Sequence, residues 1–218
     1  MSITQAALPG GTAALIGVVA LGVIVPDAGW QVVRHFTVMA HEGAHALVGF
    51  FLFRSVGGVT LYSDGTGKTE ISPATGFGGF LIALAGYVGP SAFGLGAAKL
   101  IELGYATVVL WVVLFLLAVL LLGMRWSFGL ISVFLAGGIV FAIARYTPMS
   151  VQVVASYAIA WLLLLSGVRR VLQVGDGSDD GGLLRGMTSI PRGLWFLFWL
   201  AATLAAVALG VRLLVVQA

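Results

Sequence analysis

The sequence predicts an all-α, polytopic transmembrane helical bundle of about 6–7 membrane segments, with a small β-hairpin after the helix that carries an HExxH motif. The first observation is composition. The 218 residues are 60% hydrophobic and only 9% charged, whereas soluble domains carry roughly 25% charged residues. The second is that apolar stretches long enough to cross a hydrocarbon core of ~30 Å recur from end to end. We therefore expect residues 1–218 to form a single integral membrane domain.

The apolar segments are separated by short polar breaks. They lie at roughly 8–25, 32–53, 76–101, 105–123, 127–144, 149–168 and 193–216. The third segment contains "GYVGPSAFG", in which Pro90 cannot donate a hydrogen bond to the carbonyl of Gly86. This stretch is either a kink that serves helix packing or part of a substrate cleft. Six or seven crossings are both compatible with this pattern.

The connection after the second segment is predicted to be the hairpin. Between Arg54 and Pro73, "SVGGVTLYSDGTGKTEIS" has β-branched residues on both sides of "SDGTG". Glycines between two such runs are typical of a tight turn between antiparallel strands. We expect this hairpin to lie beside the second helix.

Composition also limits the chemistry. The chain has no cysteine, so disulfides, thiolate zinc sites and cysteine nucleophiles are excluded, and any metal must bind nitrogen and oxygen ligands. The formal net charge of +3 comes mostly from arginines between apolar runs, without a basic stripe that interleaves aromatic residues. Nucleic acid is therefore not expected as a partner, whereas the lipid bilayer is.

One apolar segment carries three ionisable side chains. The stretch "TVMAHEGAHALVGFFLF" contains His41, Glu42 and His45. Residues four apart lie on one helical face, so both imidazoles can converge on one ion. In HExxH metallohydrolases these histidines bind Zn²⁺ while the glutamate accepts a proton from the attacking water. Since an ionised carboxylate near the bilayer centre costs roughly 2.5–3.5 kcal/mol, the motif predicts a zinc site rather than a chance polar cluster.

A third ligand must come from elsewhere in the chain, because catalytic zinc sites typically use three protein ligands. His35, the remaining imidazole, lies roughly 120° around the helix from His41, where a structural histidine is expected. The candidate carboxylates are Asp27, Asp64, Glu70, Glu102, Asp176, Asp179 and Asp180.

Three stretches in this order carry a family resemblance. "HEGAHALVG", then "AGYVGPSAFG", then "GSDDGGLLRGMTSIPRGLWFLFW" resemble the site-2 protease family of intramembrane zinc metallopeptidases, most closely its small bacterial M50B-like branch. The similarity runs from about Phe36 onward. The chain departs from the better-known members, which carry an Asn-and-Pro motif followed by Leu-Asp-Gly, because it has no asparagine.

The resemblance implies a zinc metalloendopeptidase. His41 and His45 would be zinc ligands and Glu42 the general base, with Asp179 at the position of the family's ligand aspartate and Asp180 the close alternative. The implied substrate is a transmembrane or membrane-anchored protein, cleaved within or near the bilayer, and the implied location is a bacterial cell (plasma) membrane. "GSDDGG" has a second interpretation, in which Ser178 or Asp179 caps a short helix without binding metal.

Two other function classes stay open from the residues alone. A catalytically inactive membrane scaffold could keep the metal site without needing a base, and a transporter component could use buried histidines and a glutamate to carry protons or metal ions. Tyr87, in the third segment, could donate its hydroxyl to a tetrahedral oxyanion or satisfy a polar group in the bundle.

Overall fold

The predicted apolar segments all fold as helices. The computed structural model describes residues 4–125, 128–174, 177 and 179–217. Within them the helices are α1 (Gly10–Ile24), α2 (Asp27–Phe51), α3 (Gly76–Glu102), α4 (Ala106–Gly123), α5 (Phe128–Tyr146), α6 (Met149–Val174), α7 (Asp179–Thr188) and α8 (Arg192–Val211). A π-helical turn over Arg212–Val216 extends α8. The all-α class is confirmed, and the short α7 begins in the "GSDDGG" stretch.

The described residues support five or six membrane spans, so a count of seven separate crossings is not supported. The five helices α3, α4, α5, α6 and α8 are each long and apolar enough to cross a membrane. Helices α1 and α2 pass the same test only as a pair, and they are bent by 104° at their junction. At about 1.5 Å per residue, α1 with its 15 residues is too short to cross ~30 Å alone.

The junction between α1 and α2 is held by one side chain from α6. The Arg169 guanidinium donates hydrogen bonds to the carbonyls of Ile24 and Val25, where α1 ends. It also pairs with Asp27 at the start of α2, at 2.7 Å, and lies 4.9 Å from the ring centre of Trp30. Arginine therefore satisfies the free carbonyls of one helix and fixes the start of the helix that carries the HExxH motif.

The predicted hairpin is confirmed. Strands β1 (Ser55–Leu61) and β2 (Gly67–Ser72) pair antiparallel. In the turn, the Asp64 carboxylate accepts a hydrogen bond from the backbone N–H of Thr66 at 2.9 Å. Gly65 there has a φ of +76°, which glycine adopts without the steric cost of a side chain.

The chain after α4 holds the outer side of this hairpin. The Arg125 guanidinium makes a forked contact with the Glu70 carboxylate, with Nη2 at 2.7 Å and Nη1 at 3.2 Å from its oxygens. The Arg125 backbone N–H donates to the carbonyl of Val59 at 3.0 Å, beside a parallel bridge between Val59 and Met124. The free edge of β1 is thus covered, whereas β2 has no second strand neighbour in the described part of the chain.

Candidate metal centre

The two histidines of the HExxH motif converge, as their spacing predicts. His41 and His45 lie on one face of α2 and are only 6% and 7% exposed. Their Nε2 atoms are 3.2 Å apart, and the rings meet edge to face with centres 4.8 Å apart. Both imidazoles therefore point into the same small volume inside the bundle.

Glycines of α3 make room for these rings. A Cβ atom at Gly86 would overlap Nε2 of His45 and lie 2.6 Å from Cε1 of His41. A Cβ at Gly89 would likewise overlap the Ala44 side chain. Small residues let two helix backbones approach closely, so "GYVGPSAFG" serves both packing and the wall of the site.

A backbone carbonyl orients one of the histidines. Nδ1 of His45 lies 2.7 Å from the carbonyl oxygen of Ile82 on α3. Since a carbonyl only accepts, Nδ1 of His45 donates the proton of this hydrogen bond, and Nε2 is the ring nitrogen that faces His41. The ring of His41 packs edge to face on Tyr87, with centres 4.7 Å apart, and its Nδ1 is buried without a hydrogen-bond partner among the described residues.

Helix α7 brings a carboxylate to the histidines, and it is Asp180 rather than Asp179. Oδ2 of Asp180 lies 3.2 Å from Nε2 of His41 and 3.3 Å from Nε2 of His45. Asp179 is exposed on the first turn of α7. Consecutive residues are rotated by roughly 100° around a helix, so only one of the two can face inward. The placement expected for Asp179 is corrected to Asp180.

A buried leucine explains why α7 presents that face. Leu184, one turn after Asp180, is fully buried in a cluster with Tyr87 and Trp199. Burial alone would raise the pKa of the Asp180 carboxyl, but the neighbouring imidazoles of His45 and His41 hold that pKa below its usual range. Asp180 is therefore ionised, the state in which a carboxylate binds a metal.

Glu42, the remaining member of the motif, lies under the hairpin. Its side chain is 4% exposed, and Oε2 accepts a hydrogen bond of 2.7 Å from the Thr69 hydroxyl on β2. A Cβ at Gly67 would lie 2.7 Å from the other carboxylate oxygen. Strand β2 thus packs directly on the carboxylate that the sequence predicts as the base.

Comparison with known proteins agrees with this architecture. A family model described as Peptidase M50B-like matches residues 14–210, a range that includes the HExxH motif, the hairpin and α7. The chain belongs to the Peptidase M50B-like family. No curated protein and no solved structure matches it. The resemblance to the site-2 protease family is confirmed, and membership supports an integral membrane protein of the metallopeptidase type.

The donor set of this M50B-like chain fits a zinc ion. Two imidazole nitrogens and one carboxylate oxygen are nitrogen and oxygen donors of the kind found in catalytic zinc sites. The three atoms, which we call the ligand triangle, are separated by 3.2, 3.2 and 3.3 Å. A tetrahedral ion with bonds of ~2.0–2.1 Å needs ligand atoms about 3.3–3.4 Å apart. The triangle has the size that zinc requires.

The other predicted candidates lie away from the triangle. His35 packs against Phe128, with ring centres 5.6 Å apart, in agreement with a structural role. The remaining carboxylates have other partners: Asp27 with Arg169, Glu70 with Arg125, Glu102 with Lys99, and Asp64 with Thr66. Asp176 and Ser178 lie outside the described residues.

Sequence reasoning missed two groups of the M50B-like site. They are the Thr69 hydroxyl, which binds Glu42, and the carbonyl of Ile82, which binds His45. Both contacts join elements that only tertiary packing brings together. The one available signal for Thr69 was the expected position of the hairpin beside the second helix.

Proposed function

We propose that this chain is an intramembrane zinc metalloprotease, which hydrolyses a peptide bond of a membrane protein within or near the bilayer. The observation that carries the proposal is the ligand triangle of His41, His45 and Asp180, with Glu42 adjacent to the first histidine. Three buried ionisable groups and a half-buried carboxylate inside a membrane bundle are costly unless they serve a function. Membership of the Peptidase M50B-like family supports the same function.

In this proposal the triangle holds Zn²⁺ and Glu42 moves the proton. A zinc ion held by the three residues would act as a Lewis acid and make water nucleophilic at neutral pH. Glu42 accepts a proton from the attacking water and returns it to the leaving amine. Its burial and its hydrogen bond to Thr69 support this role, because both limit the positions open to the carboxylate.

The proposed substrate is a transmembrane or membrane-anchored protein that offers an extended segment. A transmembrane helix hides its carbonyls in its own hydrogen bonds and must unwind before cleavage. Because the edge of β1 is covered by residues 124–125, β2 is the edge on which such a segment could add as a strand. Strand β2 also carries the residues next to Glu42, so a segment docked there would pass close to the base. The proposed location is a bacterial cell membrane.

Cleavage in detergent tests the proposal against a transporter or a scaffold. The probes are test proteins with one transmembrane helix and a tag on each side, mixed with the purified, zinc-loaded chain in micelles. We expect cleavage by the wild type, because hydrolysis needs no gradient, and a loss of at least about 100-fold in Glu42→Gln. Zinc content should be equal in the two proteins, since Glu42 is not a proposed ligand. Equal cleavage by Glu42→Gln, or none by the wild type on any probe, would contradict the proposal.

A further inference from the structure

The hairpin contributes one side chain directly to the proposed base. The Thr69 hydroxyl lies 2.7 Å from Oε2 of Glu42 and 3.2 Å from the Glu42 backbone carbonyl. A hydroxyl has one proton to donate, and the shorter contact, to a charged acceptor, is the stronger of the two. The carboxylate is therefore the main acceptor.

Neighbouring contacts fix Thr69 in this place. Residues 67, 69 and 71 face the same side of β2 because side chains alternate along a strand. Gly67 lies against the side chain of Glu42, and Ile71 packs at the position of Gly49, about two turns further along α2. A shift of β2 by one residue would turn Thr69 away and bring a charged neighbour, Lys68 or Glu70, to the base. The register of β2 is thus set by three successive contacts with α2.

We propose that Thr69 is a positioning residue, whose hydroxyl holds the Glu42 carboxylate in the orientation needed for proton transfer. This inference rests on the proposed proteolytic function. Threonine suits the task because its branched Cβ restricts χ1, so that the hydroxyl is held in one direction. Because Thr69 lies on β2, the strand that would receive the substrate also orients the base.

Two substitutions at the same position separate orientation from packing. Thr69→Val keeps the shape of the side chain but removes the donor, and Thr69→Ser keeps the donor. With the test protein that the wild type cleaves best, we expect Thr69→Val to lower kcat by about 10- to 100-fold while KM and zinc content stay unchanged. Thr69→Ser should stay within a few-fold of the wild-type kcat. Wild-type kcat in Thr69→Val, or a change confined to KM, would overturn the proposal.

A second measurement requires no activity. In a cycle of wild type, Thr69→Val, Glu42→Ala and the double variant, thermal unfolding in detergent reports the contact itself. We expect Thr69→Val to lower the unfolding midpoint by about 2–4 °C in the wild-type background and to have little effect once Glu42 is alanine. Equal shifts in both backgrounds would overturn the proposal, because Thr69 would then not interact with Glu42. A wild type that cleaves no test protein would count against the protease function instead, and the cycle would still decide the contact.

Discussion

Asp180 on α7 and His41 on α2 meet at 3.2 Å between Oδ2 and Nε2. This contact closes the ligand triangle, since the same carboxylate oxygen lies 3.3 Å from His45. Two elements far apart in the sequence therefore have to be placed accurately for the site to exist. Helix α3 supports both, through Gly86 under the histidines and through the cluster in which Leu184 of α7 is buried.

Leu184→Ala should weaken the site by loosening α7. Leu184 is fully buried, so its truncation removes packing worth about 2–5 kcal/mol. We expect a lower unfolding midpoint and a weaker zinc affinity, because Asp180 lies one turn before Leu184 on the same face of α7. Leu183→Ala is the matched control, since that neighbour is 51% exposed. Competition with a chromophoric chelator measures the affinity; equal values for the two variants would contradict the anchoring role.

Gly86→Ala should disturb the histidines while leaving the helix intact. The added Cβ would overlap His45 and crowd His41, so the rings must shift. We expect zinc affinity to fall by about tenfold or more. Gly96→Ala, on the same helix with no atom within 4 Å of the added Cβ, should retain wild-type affinity or gain slight stability. A Gly86→Ala protein that binds zinc like the wild type would show that the close approach is not needed.

Arg169→Ala should destabilise the start of α2. The substitution leaves the carbonyls of Ile24 and Val25 without their donor and Asp27 without its cation. We expect the unfolding midpoint in detergent to fall by about 2–6 °C. Arg145→Ala, at the end of α5, removes a cation whose described partner is the ring of Tyr146, and it should change the midpoint by much less. Similar shifts in both variants would argue that the Arg169 contacts do not stabilise the junction between α1 and α2.

Part of the site can be predicted from the sequence, because local spacing determines it. Helical spacing alone places His41 and His45 on one face, and β-branched runs around a glycine turn specify the hairpin. The choice between Asp179 and Asp180 does not follow in this way. Leu183 lies four residues after Asp179 and Leu184 four residues after Asp180, so either acid could share its face with an apolar anchor. Only the packing of α7 against α3 and α8 decides the helical phase.

The number of spans also depends on tertiary structure. The sequence shows two apolar segments at its start and leaves six or seven crossings open. In the structure α1 and α2 form one bent pair, and the bend is stabilised by Arg169 from the distant α6. The bend therefore cannot be predicted from the residues around position 25, because Arg169 is distant from them in the sequence. In the same way, Thr69 and Glu42 meet only because β2 folds back onto α2.

Zinc content per chain tests the central claim most directly. It should be measured by elemental analysis on detergent-purified wild type, His41→Ala, Asp180→Ala and, as the matched control, Asp179→Ala. The ligand triangle predicts about one zinc in the wild type and in Asp179→Ala, and loss of zinc from His41→Ala and Asp180→Ala. Zinc retained in Asp180→Ala and lost from Asp179→Ala would contradict the assignment of the third ligand. A wild type that binds no zinc even after loading would contradict the metal centre itself.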